Sequence, residues 1–268
     1  MALAEFEPLG MAALPFVNWI FWGTLAGGTL LAVGVTQWLG GTTVGYRRFM
    51  AATVAVCAVV WLVSELNVTA AAVVESWSNL RRVLVWAFTA LVFAYLGAVV
   101  AKLPERIGAA AAVTGGLVSV GTLVVIPAAG ASGEQILFAA GLVTASLAQG
   151  SVTAGMLLGH WYLVTPKLSP VPLRRLIWLL IGALAIQGLL VAWSVVVAWA
   201  VIEPVAWLTG LRFFVGVLFP LALAVLALRA TDAPSMQSTT GLLYIGLAAV
   251  MAGTIGAASL VYFGWGTV

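Results

Sequence analysis

A chain of 268 residues that is 63% hydrophobic and 7% charged excludes a water-soluble globular domain, and its mean hydropathy of +1.17 agrees. Soluble domains carry charge on about a quarter of their residues. The eleven Lys and Arg against eight Asp and Glu leave a formal net charge of +3, a surplus set by membrane topology and no evidence for nucleic-acid binding.

Eight apolar stretches follow one another at 14–39, 49–72, 82–102, 108–129, 136–163, 174–201, 205–228 and 240–263. Each reaches the ~20 residues a helix needs to cross a ~30 Å hydrocarbon core. Their runs are continuous, without the alternation of a lipid-facing strand, so the expected fold is all-α: a polytopic membrane protein of eight transmembrane helices. The short connections leave no room for a soluble domain. Glu5 and Glu7 stand where a cleavable signal peptide would be basic, so none is expected.

Charges between the stretches set an orientation. Arg47, Arg48, Lys102, Arg106, Lys167, Arg174, Arg175 and Arg229 share one side, and Glu5, Glu7, Glu75, Glu134 and Glu203 the other, with Arg81 and Arg82 as basic exceptions. Both termini are therefore expected outside. Trp19, Trp38, Trp77, Trp161, Trp178, Trp207 and Trp265 fall near span ends, where an aromatic belt accounts for them.

The first span is rich in glycine, and Gly23/Gly27 mark a packing face; Gly155/Gly159 and Gly253/Ala257 do the same on spans five and eight. Span five also resembles span one when shifted by about 122 residues. Thr24-Leu25-Ala26-Gly27-Gly28-Thr29 lies over Ser146-Leu147-Ala148-Gln149-Gly150-Ser151, and Ala32 over Ala154. Arg47-Arg48 precede span two as Arg174-Arg175 precede span six, and Arg82 matches Arg212. A duplication of four helices keeps both halves in one orientation, which gives two parallel four-helix bundles, 1–129 and 130–268.

In span two, Glu65 lies roughly 6 Å below the outer surface at 1.5 Å per residue; in span seven Arg212 lies roughly 10 Å below it. Two readings follow. One is a buried Glu65–Arg212 ion pair locking the halves together; the other is a polar pocket lined also by Asn67, Arg81 and Arg82. Asn67-Val68-Thr69 matches a glycosylation sequon but falls within or at the end of a span and is discounted. His160, the single histidine, lies near the inner interface in Gly159-His160-Trp161-Tyr162. It reads as an interfacial side chain or as a haem or quinone contact there. Pro220 should kink span seven and free a carbonyl, and Thr239-Thr240-Gly241 should cap span eight.

One cysteine, Cys57, and one histidine exclude an internal disulfide, an all-cysteine iron–sulfur cluster and a bis-histidine haem within this chain. No Walker A, H-E-x-x-H or C-x-x-C motif is present, and no metal site is expected.

Trp22-Gly23-Thr24-Leu25-Ala26-Gly27-Gly28-Thr29-Leu30-Leu31, Ser64-Glu65-Leu66-Asn67, Asn79-Leu80-Arg81-Arg82, Trp207 to Arg212, and Ala252 through Gly264 occur in that order. Together they resemble the polysulfide-reductase/NrfD-like family of quinol-interacting membrane anchors, which includes the dimethyl-sulfoxide-reductase anchor subunit. The resemblance implies eight helices in two four-helix bundles with both termini outside a bacterial cytoplasmic membrane. It implies contact with quinone and an iron–sulfur or cytochrome partner subunit that receives the electrons. On that reading Arg82 and Arg212 orient the quinone headgroup, Asn67 hydrogen-bonds a carbonyl, and Glu65 exchanges the proton. The sequence departs from the family where Asn67 replaces a histidine, and Asn cannot take up a proton near pH 7. A small-solute or ion permease gated by Glu65 and Arg212, and a haem-binding or scaffold subunit, stand as alternatives.

Overall fold

The structure, a computed structural model, describes residues 3–68, 78–128, 133–165, 168–197, 206–233 and 235–262, with side chains for all of these except 3–13, 125–128 and 133–136. Glu75, Glu203, Trp77 and Trp265, on which some of these expectations rest, lie outside the described residues, as do the side chains of Glu5, Glu7 and Glu134. The described elements are helices throughout: α1 Leu3–Trp38, α2 Val44–Asn67, α3 Ser78–Val100, α4 Glu105–Ala128, α5 Gly133–Val164 and α6 Val171–Val197. They continue as α7, Ala206–Asp232, and α8, Met236–Tyr262. Eight of them are long and apolar enough to cross a membrane. The chain is an integral membrane protein by this measure.

Its surface agrees. Large apolar side chains point outward at mid-helix, among them Val56, Trp86, Phe93, Leu189 and Trp193. In water such a surface would aggregate; in lipid it is the solvated face.

Local sequence explains the helix ends. Gly40 and Gly41 turn the chain at φ 78° and 96°, a left-handed conformation that L side chains with a Cβ resist. Thr43 then caps α2 by accepting from the Tyr46 amide at 3.2 Å. Lys102, at φ 56°, ends the α3 segment before Pro104 starts α4. The expected cap of α8 falls elsewhere. Its helix already begins at Met236, so Thr239 and Thr240 lie inside the first turns and donate to Ser235 and Met236 carbonyls at 3.1 and 2.7 Å. The proline in α7 acts through a π-turn: across Phe214–Leu218 the hydrogen bond lengthens, and the Phe219 amide donates to the Phe214 carbonyl. Pro220, next in line, has no amide to donate.

Helices α1 to α4 pack in chain order, with α4 returning onto α1; α5 to α8 do the same, with α8 returning onto α5. The two quartets meet chiefly through α1 on α5, joined by α4 on α5 and α1 on α8. In lipid no hydrophobic force draws helices together, so close backbone approach must supply the attraction. Gly28 and Gly150, which the 122-residue shift superposes, are where α1 and α5 touch: a Cβ on Gly28 would run into the Ser146 carbonyl, and one on Gly150 into Gly28. Beside that contact the Thr24 hydroxyl and Gln149 amide meet at 2.5 Å. Further polar cross-links join the helices: at mid-depth Ser119 donates to the Gly23 carbonyl, and nearer the basic end Tyr46 donates to the Ala154 carbonyl.

The helix ends fall into two groups. One, the basic end, holds Arg47, Arg48, Lys102, Arg106, Arg174, Arg175 and Arg229; the other lies on the side of both chain termini. Arg47 pairs with Glu105 and Arg174 with Asp232, both at 2.7 Å, at the basic end.

Candidate functional site

Two buried arginines lie near the termini end, one in each quartet, and they differ in what surrounds them. Arg81 is the fourth residue of α3 and is 3% exposed. Its Nε donates to Glu65 Oε1 at 2.9 Å. The other carboxylate oxygen of Glu65 accepts from Trp19 Nε1 at 2.8 Å. The guanidinium also sits 5.8 Å from the Trp19 ring centre, within cation–π range. Trp19 packs on Trp61, and Trp61 on Phe88, at ring separations of 5.7 and 5.1 Å. Above this stack, Asn18 donates to Ser64 and accepts from Trp22.

Glu65 therefore binds α1, α2 and α3 together, and its ion pair, which one of the two readings gave to Arg212, forms with Arg81. The reason is positional. Residues on neighbouring helices of one quartet meet directly, whereas α2 and α7 are not packed against each other. Trp19 likewise leaves the expected aromatic belt: at 1% exposure it is a core residue that donates to the carboxylate.

Asn67 and Arg82 take no part in this cluster. Asn67 is exposed, and its side-chain amide donates to the Val63 carbonyl of its own helix. Arg82 is exposed as well. Consecutive helix residues point about 100° apart, and here Arg81 faces the interior while Arg82 faces outward. The sequence comparison placed Arg82 opposite Arg212, but the arginine that turns inward is its neighbour.

Arg212 is 4% exposed and makes no ion pair among the described residues; its buried Nε has no hydrogen-bond partner. It lines a cavity of ≈20 Å³ with Ile20 of α1, Leu142 of α5, Gln187 of α6 and Thr254 of α8. That volume holds about one water. Thr209, one turn before Arg212 on the same helix face, also has a buried hydroxyl without a partner. It floors a second, apolar groove of ≈350 Å³ between α6 and α7, walled by Val191, Val195, Phe213 and Phe214. Just beyond, Gly216 of the π-turn packs against Gly253 of α8.

Gln187 was missed in the sequence. Its signal was there, since past Arg175 the only other polar residue in α6 is Ser194. In the first quartet α2 offers a carboxylate to the arginine of α3. In the second, α6 offers an amide on the wall that Arg212 shares. Both members of the second set lie about one turn farther from the termini end, counted from their helix starts.

His160 is exposed at the basic end, away from both arginines. Its neighbours are held: Trp161 covers Gly45, and Tyr162 donates to the Ser169 carbonyl at 2.8 Å.

No family model, no curated protein and no solved structure matches this chain. The site must be read from its own chemistry.

Proposed function

We propose that this chain is a quinone- or quinol-contacting membrane subunit of an electron-transfer complex, of the polysulfide-reductase/NrfD-like kind, and that quinone meets it at Arg212. One observation carries this reading: a buried guanidinium with no carboxylate partner among the described residues, one turn from a buried Thr209 hydroxyl that has no partner among them either, beside an apolar groove of ≈350 Å³. An uncompensated cation at membrane depth is costly, so it marks a place where a polar or anionic group of a ligand is received. A quinone offers two carbonyl oxygens, which accept hydrogen bonds, on a ring that suits apolar walls. The ring lies in the groove with Thr209 as donor to one oxygen, and Arg212, one turn on, donates from the adjoining one-water cavity that it lines with Gln187 and Thr254.

In this proposal Asn67 and Arg82 carry no quinone contact, because neither lines the cavity or the groove. Glu65 is a structural cross-link rather than the proton acceptor, since both its oxygens are held by donors. In this proposal the eight helices form two parallel four-helix bundles in a bacterial cytoplasmic membrane, and the cluster of basic residues at one end supports placing both termini outside. Electrons leave through an iron–sulfur or cytochrome partner, because one Cys and one His supply neither an all-cysteine cluster nor a bis-histidine haem here.

The test is photolabelling of the purified chain in detergent with an azido-quinone, followed by peptide mapping. Label on the 206–214 peptide that disappears in Arg212→Gln is the expected result. Label spread evenly over lipid-facing helices, or unchanged in Arg212→Gln, overturns the assignment.

A further inference from the structure

A wider cavity lies elsewhere, at the basic end between α1, α2, α3 and α4, and it is independent of the quinone reading. It encloses ≈590 Å³ and is lined by Gln37, Arg47, Arg48, Lys102 and Glu105 together with the Leu103–Pro104 connection. Three cations against one carboxylate leave two positive charges facing this space.

Arg47 is the built part of the site. It is 6% exposed, on the first turn of α2, where the helix N-terminus adds its own positive potential. Its Nη1 lies 2.7 Å from Glu105 Oε1 yet makes no hydrogen bond there. Glu105 itself is 58% exposed, so solvent weakens its hold on the buried guanidinium, and Arg47 lines the cavity wall with its charge only partly offset. The wall behind it is fixed. Gln37 donates to the Glu105 carbonyl at 2.8 Å and accepts from Tyr95 at 3.0 Å, which holds α1, α3 and α4 in register. Arg48 and Lys102 are exposed and flank the mouth.

We propose that this cavity binds a phosphate group, Arg47 donating to it from the buried wall while Arg48 and Lys102 neutralise it at the mouth. A basic pocket between transmembrane helices at this depth suits the phosphodiester of an anionic lipid; a free phosphate offers the same oxygens. The two sources are separable by experiment.

The full chain in detergent is titrated with phosphatidylglycerol, with phosphatidylcholine and with inorganic phosphate, and binding is read by native mass spectrometry and by the unfolding midpoint. Wild type should retain phosphatidylglycerol over phosphatidylcholine, and the Arg48→Ala/Lys102→Ala variant should bind it roughly thirtyfold more weakly, two cations acting near an anionic head group. Both positions are exposed, so the variant keeps its fold. Arg106→Ala, an exposed cation that does not line the cavity, should leave binding within about threefold, inside the scatter of distant charges. A midpoint raised by inorganic phosphate alone, and lost in the double variant, supports the site with a soluble phosphate as its ligand. Equal retention of the two lipids with no response to phosphate overturns the proposal. So does a loss in Arg106→Ala as large as in the double variant, which would mean diffuse surface charge.

Discussion

Arg81 and Arg212 are the same side chain near the same end of the molecule, each buried within its own quartet of helices. Arg81 has a carboxylate at 2.9 Å and an indole face beneath it; Arg212 has no carboxylate among the described residues, only an amide and a hydroxyl on the wall of its cavity, and each arginine keeps one buried nitrogen without a hydrogen-bond partner. The difference teaches that burial alone does not say what a membrane arginine is for. A charge whose partner is built in acts as a cross-link. A charge whose partner is missing is a receptor for something outside the chain, or a cost without return.

The comparison breaks most sharply at Glu65. Glu65→Ala leaves Arg81 buried without its carboxylate and should cost about 3–5 kcal/mol, seen as a collapse of folded yield in detergent. The double variant Glu65→Leu/Arg81→Met should recover most of that loss, since removing both charges spares their desolvation. If the single and double variants unfold alike, the pair is not the cross-link described above.

Gly28→Leu comes next. A side chain there meets the Ser146 carbonyl of α5, and overpacking of this kind costs about 1–3 kcal/mol; a thermal midpoint equal to wild type would show that α1 and α5 do not cross at this glycine. Trp19→Phe keeps the ring and removes one hydrogen bond to a charged group, worth about 1.5–3 kcal/mol. A double-mutant cycle with Glu65→Gln measures that coupling directly.

Arg212→Met should do the opposite of Glu65→Ala. It removes a charge without a partner, so stability in detergent should hold or rise while quinone labelling is lost. A fall comparable to that of Glu65→Ala would mean that Arg212 is as structural as Arg81, and the proposed site would fail. Asn67→Ala and Arg82→Ala should change neither stability nor labelling beyond about 0.5 kcal/mol, the scale of exposed substitutions.

Much of the molecule was legible from its sequence, and the reasons are particular. Each apolar run had to become a helix because lipid offers no partner to a free amide, so the spans match the observed helices to within a few residues at most ends. The 122-residue shift was legible because one packing solution, glycine against glycine, serves both α1 and α5. The polar sites were read less well. Depth along a helix follows from counting residues, and it placed Glu65 and Arg212 correctly near one end. Direction around the helix does not follow from counting when nearly every face is apolar, so Arg81 and Arg82 could not be told apart and Asn67 could not be seen to point away.

What the sequence determined by itself was the number, length and membrane character of the helices, because chain length and hydropathy meet a solvent of fixed thickness. Which acid meets which arginine was decided only by the tertiary structure. A partner is chosen by which helices become neighbours, and α2 beside α3 gave Glu65 to Arg81 and left Arg212 facing a cavity.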